Sequence, residues 1–118
     1  MAQPPRSERP DMQGYGVTED PDGLLDWEWA ETRLLGCRNY WLTTVNADGR
    51  PHSMPVWGVW MPSRQRFGFG CSPTARKVRN LAANQRVVVA PHDTVECISL
   101  EGRAVMVVAP AGGDVVDA

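Results

Sequence analysis

Carboxylates are missing from the middle of this chain. Between Asp48 and Asp93 there is no Asp or Glu, while Arg50, Arg64, Arg66, Arg76, Lys77, Arg79 and Arg86 all fall inside that window. The chain as a whole carries 12 Lys and Arg against 14 Asp and Glu, a net charge of −2, so the asymmetry is internal. A nucleic-acid surface normally needs a broad basic face on a basic domain, and a local anion site fits this distribution better. Cysteine and histidine are scarce as well. Cys37, Cys71 and Cys97 are odd in number and widely spaced, with no Cys-x-x-Cys and only His52 and His92 to join them. Neither a disulfide framework nor a zinc site is supported, and the three cysteines read as small buried apolar residues. Cys71 abuts a cationic segment, the kind of setting that makes a thiol reactive.

Two further absences narrow the classes. No apolar run is long enough to cross a bilayer and no basic start precedes one, so a cytoplasmic protein with no membrane partner is expected. Paired carboxylates, a Ser-His-Asp set and a metal cluster cannot be assembled either. No catalytic side chain and no metal ligand is therefore assigned, which suits a protein whose chemistry resides in a cofactor. His52 reads as an ordinary strand residue and His92 as part of a loop.

What is present favours short strands and turns. A chain of 118 residues with 11 Gly and 10 Pro is one domain, rich in punctuation. Residues 1–20 are polar and aperiodic and are expected to form a flexible arm, leaving 21–118 as a single domain. From Leu24 to Arg38 a helix is expected, capped by Asp26, with Trp27, Ala30, Leu34 and Leu35 as its apolar stripe and an end near Gly36. Tyr40 to Val45 reads as a strand, Asn46-Ala47-Asp48-Gly49 as a hairpin turn, and His52 to Met61 as the second strand. On that strand Trp57 and Trp60 have opposite parity and should face opposite sides. Pro62 to Gln65 is the next turn and Arg66 to Cys71 a third strand. Arg86 to Ala90 reads as a buried strand, and Val95 to Val108 as a long one broken near Glu101-Gly102. Ala109 to Ala118 is expected as a tail in which Asp114 caps a helix that barely starts.

The remaining stretch, Ser72 to Asn84, concentrates the cations. Ser72 suits an N-cap and Pro73 the first helical position, so a helix is expected to start near Ser72. Its Ala75, Val78, Leu81 and Ala82 can face a core while Arg76, Lys77, Arg79 and Asn80 face elsewhere. Unpaired N–H groups and cations near one helix end are a means of holding a phosphate. A solvated basic face is the alternative reading of the same residues. Aromatics are not interleaved with the cations, which argues against nucleic acid.

The order of elements and three motifs resemble the flavin-binding split β-barrel family, the pyridoxamine 5′-phosphate oxidase-like proteins. The motifs are Thr43-Thr44-Val45-Asn46-Ala47-Asp48-Gly49-Arg50-Pro51, Pro55-Val56-Trp57-Gly58-Val59-Trp60 and Ala75-Arg76-Lys77-Val78-Arg79-Asn80-Leu81-Ala82-Ala83-Asn84. With Arg86-Val87-Val88-Val89 and Glu101-Gly102-Arg103-Ala104 they cover roughly residues 40–108. The resemblance implies a mainly β fold with flanking helices, and a homodimer of split barrels with a cofactor in each groove between subunits. It implies FMN or the deazaflavin F-420 as cofactor, or haem as in a few members, with a small-molecule substrate. Arg76 and Lys77 would hold the phosphate, Arg79 and Asn80 would support that groove, Ser72 or Thr74 would add hydroxyl contacts, and Pro55, Val56 and Trp57 would lie beside the ring. The expected function is a flavin- or deazaflavin-dependent oxidoreductase, the alternative a non-catalytic binder of flavin, deazaflavin or haem. Where the oxidase that names the family has an Arg and a Lys on the second strand, this sequence has Met54 and Val59, which argues against oxidation of pyridoxamine phosphate. The wording Arg-Lys-Val-Arg-Asn-Leu is more similar to the actinobacterial branch with deazaflavin-dependent reductases. Such proteins continue through another helix and strand where this chain stops at Ala118, so a barrel short of its C-terminal strand is one expectation.

Overall fold

A computed structural model describes residues 5–9, 24–108 and 114–117. Of the arm expected over residues 1–20 only 5–9 fall among these, with Arg6 and Glu8 in an exposed ion pair of 3.2 Å; the rest of it lies outside the described residues. Helix α1 (Trp27–Leu35) starts where expected, because the Asp26 carboxylate accepts the Trp29 N–H at 3.0 Å. Glu28 in its first turn and Arg33 in its last both complement the helix dipole. Its buried residue is Leu34, and Leu35 stays exposed. The Tyr40 hydroxyl donates to the carbonyls of Leu34 (2.6 Å) and Cys37 (3.0 Å), fastening the end of α1 to the first strand.

Strands β1 (Asn39–Val45) and β2 (Pro51–Met61) form the expected hairpin, turned at Asn46 to Gly49, where Gly49 takes a φ of +89°. β3 (Arg66–Gly70) follows, then helix α2 (Arg76–Ala83) and β4 (Arg86–Pro91). The segment 92–99 is irregular rather than strand. There the Asp93 carboxylate accepts the N–H groups of Val95 (2.8 Å) and Glu96 (3.2 Å), and Val95 is 89% exposed. Cys97, expected in a buried strand, is exposed in this loop, whereas Cys37 and Cys71 are partly buried against the core. The expected long strand becomes β5 (Leu100–Arg103) and β6 (Val105–Val108), parted at the buried Ala104 rather than at Glu101-Gly102. Asp114 caps no helix. Residues Asp114–Asp117 are a strand, β7, whose paired valines in sequence favour a ladder.

All the strand pairs are antiparallel, in the order β5-β4-β1-β2-β3-β7-β6. β2 serves two partners: residues 51–57 pair with β1, and 58–61 with β3. A second change of partner falls at Ala104, since β5 pairs with β4 while β6 pairs with β7. β5 and β6 thus stand at opposite ends of the strand order although one residue separates them in the chain. The sheet must curl until its two edges come together, and the curl surrounds the core of Tyr40, Leu42, Val56, Trp60, Phe67, Phe69, Val87 and Val89. At the bend in β2, Gly58 admits the Phe67 ring: a Cβ there would stand 2.1 Å from Phe67 Cζ. Phe67 in turn meets Tyr40 edge-on at 4.6 Å. Leu34 of α1 and Leu81 of α2 are buried against the same core.

Candidate functional site

Alternation along the strands gives the β1–β2–β4 part of the sheet two unlike faces. Inward are Tyr40, Leu42, Thr44, Val56, Val87 and Val89, all buried, the apolar ones in one core with Leu34 of α1 and Leu81 of α2. Outward, the register sets Trp41 between Pro55 and Ala90, Asn39 beside Trp57, and Thr43 beside Ser53. The Thr43 hydroxyl donates to that of Ser53 at 3.1 Å. Around Trp41, Pro55 and Trp57 this outer face is apolar and open: Trp57 is 70% exposed and Trp41 48%. The Arg38 guanidinium lies 4.4 Å from the Trp57 ring centroid. Pro55 and Trp57 therefore present side chains outward, whereas Val56, expected beside them, is in the core.

The cationic helix starts later than the sequence suggests. Ser72, Pro73 and Thr74 form a turn, not the first turn of α2: the Ser72 carbonyl accepts the Ala75 N–H at 3.0 Å, and the Ser72 and Thr74 hydroxyls lie 3.0 Å apart. Ala75 is the N-cap, extended at φ −62° and ψ 149°, and offers no side-chain bond to the helix. The N–H groups of Arg76 and Lys77 open the helix and are too early to reach an intrahelical carbonyl. Arg76 and Arg79 are exposed and Lys77 is half-buried. No carboxylate pairs with any of the three among the described residues. First-turn donors and side-chain cations are thus together and uncompensated, and such a donor set fits a phosphate.

Asn80 does not join them. It is 4% exposed on the inner side of α2, where its amide donates to the equally buried Thr44 hydroxyl at 2.9 Å. Ala82, expected inward, is exposed instead. The inner face of α2 is centred on Asn80 and Leu81, and the Asn80–Thr44 bond fixes the helix on β1. Among the described residues no group of His, Cys, Asp and Glu could hold a metal ion. No described helix is long and apolar enough to cross a membrane.

One pairing was out of reach of the sequence. Cys37 Sγ lies 3.6 Å from His92 Nδ1 and donates to the Asn39 carbonyl at 3.1 Å, across a separation of 55 residues in the chain. No local motif announces it; only the pairing of β1 with β4 brings the two together.

A sheet curled on itself, with two changes of strand partner and a cation-bearing helix between its third and fourth strands, is a split β-barrel. The chain belongs to the pyridoxamine 5′-phosphate oxidase family, whose profile matches residues 27–114. Several solved structures share the fold. An F-420 reductase is 19% identical, with a TM-score of 0.62 over 72% of this chain and 88% of that one. A FAD-binding protein from Mesorhizobium loti is 16% identical, with a TM-score of 0.65 over 79% and 86%. The heme storage protein of Vibrio cholerae is 24% identical, with a TM-score of 0.58 over 70% of this chain and 64% of its own length. At these identities the likeness is one of fold. No curated protein matches the sequence.

Proposed function

We propose that this protein binds FMN or the deazaflavin F-420 and acts as an oxidoreductase on a small-molecule substrate. The observation that carries the reading is the uncompensated pair Arg76 and Lys77 at the opening of α2. Arg76 and Lys77 would hold the cofactor phosphate, with the exposed hydroxyls of Ser72 and Thr74 in the preceding turn and Arg79 two positions beyond Lys77. Asn80 acts indirectly, by holding the helix on Thr44. A bound cofactor of this class supplies hydride transfer, and the chain's own residues bind it, orient it and shield it from water. The fold carries such groups elsewhere: its relatives include an F-420 reductase, a FAD-binding protein and a heme storage protein.

The same reading asks for two chains. α2 packs on the inner face of β1 through Thr44, whereas Pro55 and Trp57 are on the outer face, toward the other end of the strand. Thr44 stands opposite His52, and Trp57 is five residues further along β2, or about 17 Å at strand rise. One cofactor meets both sets when they come from two protomers, so we read the protein as a cytoplasmic homodimer joined through the outer face, with no nucleic-acid partner.

Titration of the purified protein with FMN and with F-420, followed by cofactor fluorescence, tests this. Saturable binding to one of them is expected, and Arg76→Ala with Lys77→Ala should weaken it by orders of magnitude, since each charge-assisted bond is worth about 1.5–3 kcal/mol. Binding to neither cofactor removes the reading. A cofactor that binds but is turned over by no acceptor makes the protein a carrier instead.

A further inference from the structure

Beyond the far end of α2 the sheet carries a second pair of cations. The register sets Arg86 of β4 directly opposite Arg103 of β5, and side chains so placed have Cβ atoms about 4.5–5.5 Å apart. Like charges in that relation repel. Both residues are exposed, and neither has an ion pair among the described residues. Glu101 shares their strand face, but it stands opposite Val88, two pairs further along, and makes no ion pair with either. Among the described residues no ion pair offsets the repulsion.

The two arginines border an open hollow of about 350 Å³. Its helix side is made of Ala82 and Ala83, whose small side chains leave the space, and its floor of Asn84 and Gln85. That floor is fixed from three directions. The Asn84 N–H donates to the Asn80 carbonyl (2.8 Å), the Arg86 N–H to Asn84 Oδ1 (3.0 Å), and the Ala104 N–H to the Gln85 carbonyl (2.8 Å). With its oxygen taken by the backbone, the Asn84 carboxamide retains its NH₂ as a donor. The last carbonyls of α2 oppose an anion with roughly half a unit charge, against two full guanidinium charges.

We propose that this hollow is an anion site for a phosphoryl group of a small molecule, gripped between Arg86 and Arg103 with Asn84 as a third donor. Guanidinium forks match the oxygens of a phosphate in pairs, and a dianion between them turns their repulsion into attraction. It is separate from the first turn of α2, because the helix of eight residues places its two ends about 12 Å apart at 1.5 Å per residue. The proposal depends on neither the cofactor nor the dimer.

Backbone amide resonances of Asn84, Gln85, Arg86 and Ala104, followed by NMR during titration with inorganic phosphate at constant ionic strength, provide the test. Saturable shifts are expected, absent with chloride. Arg86→Gln and Arg103→Gln should each weaken the binding about tenfold or more, as loss of charge-assisted bonds requires. A double variant of Arg76→Gln and Lys77→Gln should leave these shifts in place. Because Arg103→Gln also relieves a like-charge pair, its melting temperature should hold or rise, which separates lost binding from lost fold. A parallel titration with ribose 5-phosphate identifies the source: tighter binding than inorganic phosphate indicates an organophosphate, equal or weaker binding the free ion. Shifts that stay linear across the millimolar range, or saturation that survives in both arginine variants, overturn the proposal.

Discussion

Trp57 and Trp60 stand three residues apart on one strand and have opposite fates. Trp60 is 4% exposed, its ring edge-on to Trp27 at 5.4 Å and its indole N–H donating to Glu31 at 2.9 Å. Trp57 is 70% exposed and meets only the Arg38 guanidinium among the ring contacts of the described residues. Parity sends one inward and one outward, but the partner strand decides what each side meets. Trp60 belongs to the stretch of β2 paired with β3 and covered by α1, Trp57 to the stretch paired with β1 whose outer face has no described element over it. A buried indole with its N–H satisfied serves the fold, whereas an exposed one is available for recognition.

Substitutions that probe this contrast can be ranked. Trp60→Ala should cost about 3–5 kcal/mol in denaturant unfolding, the range for truncating a buried Trp. Gly58→Ala comes next. Its Cβ would stand 2.1 Å from Phe67 Cζ, and forcing that ring aside should cost about 1–3 kcal/mol, as overpacked cores do. A Gly58→Ala protein as stable as the parent would mean that the bend tolerates a side chain and that the two stretches of β2 are not held apart by Phe67.

Tyr40→Phe should cost about 0.5–1.5 kcal/mol by removing hydroxyl bonds to the end of α1, and its effect depends on pH. Burial above all, with Cys37 nearby, pushes the Tyr40 hydroxyl well above its ordinary value of 10.0. A group raised in the folded state gives stability that is whole below its unfolded pKa and fades as pH rises toward the folded one. The parent should therefore lose stability above about pH 10 faster than Tyr40→Phe does; parallel slopes in alkaline unfolding curves would contradict this. Trp57→Ala completes the ranking at no more than about 0.5 kcal/mol in a dilute monomer. A larger loss that appears only as protein concentration rises would place Trp57 in a subunit contact, and an equally large loss on dilution would erase the contrast with Trp60.

Local chemistry made much of this legible. The Asp26 cap, the Asn46 to Gly49 turn and the β-branched strands each act over a few residues, and each was readable where it stood. Other features depend on partners far away in the chain. Ser72-Pro73 has the wording of a helix start, yet the Ser72 carbonyl closes a turn first and the helix waits for Arg76. Asn80 reads as a surface residue until Thr44, 36 positions earlier, supplies a buried acceptor. The chain parts at Ala104 because its flanks join different strands, and Asp114–Asp117 is a strand because β3 and β6 are there to receive it. The cations of the candidate site were visible in sequence; the turn before them and the inward direction of Asn80 were not.

The Asn80–Thr44 bond has a consequence for motion. Of α2's residues only Asn80 and Leu81 are buried, so the helix is attached by one apolar anchor and one polar latch, whereas the strands beneath it share a continuous ladder. Partial opening should begin with such a thinly anchored element. Its amides would then exchange with solvent before those of β1 and β4, and an anion seated on Arg76 and Lys77 would slow that exchange. The helix that carries the charge is also the part of the molecule whose breathing would report that the charge has been met.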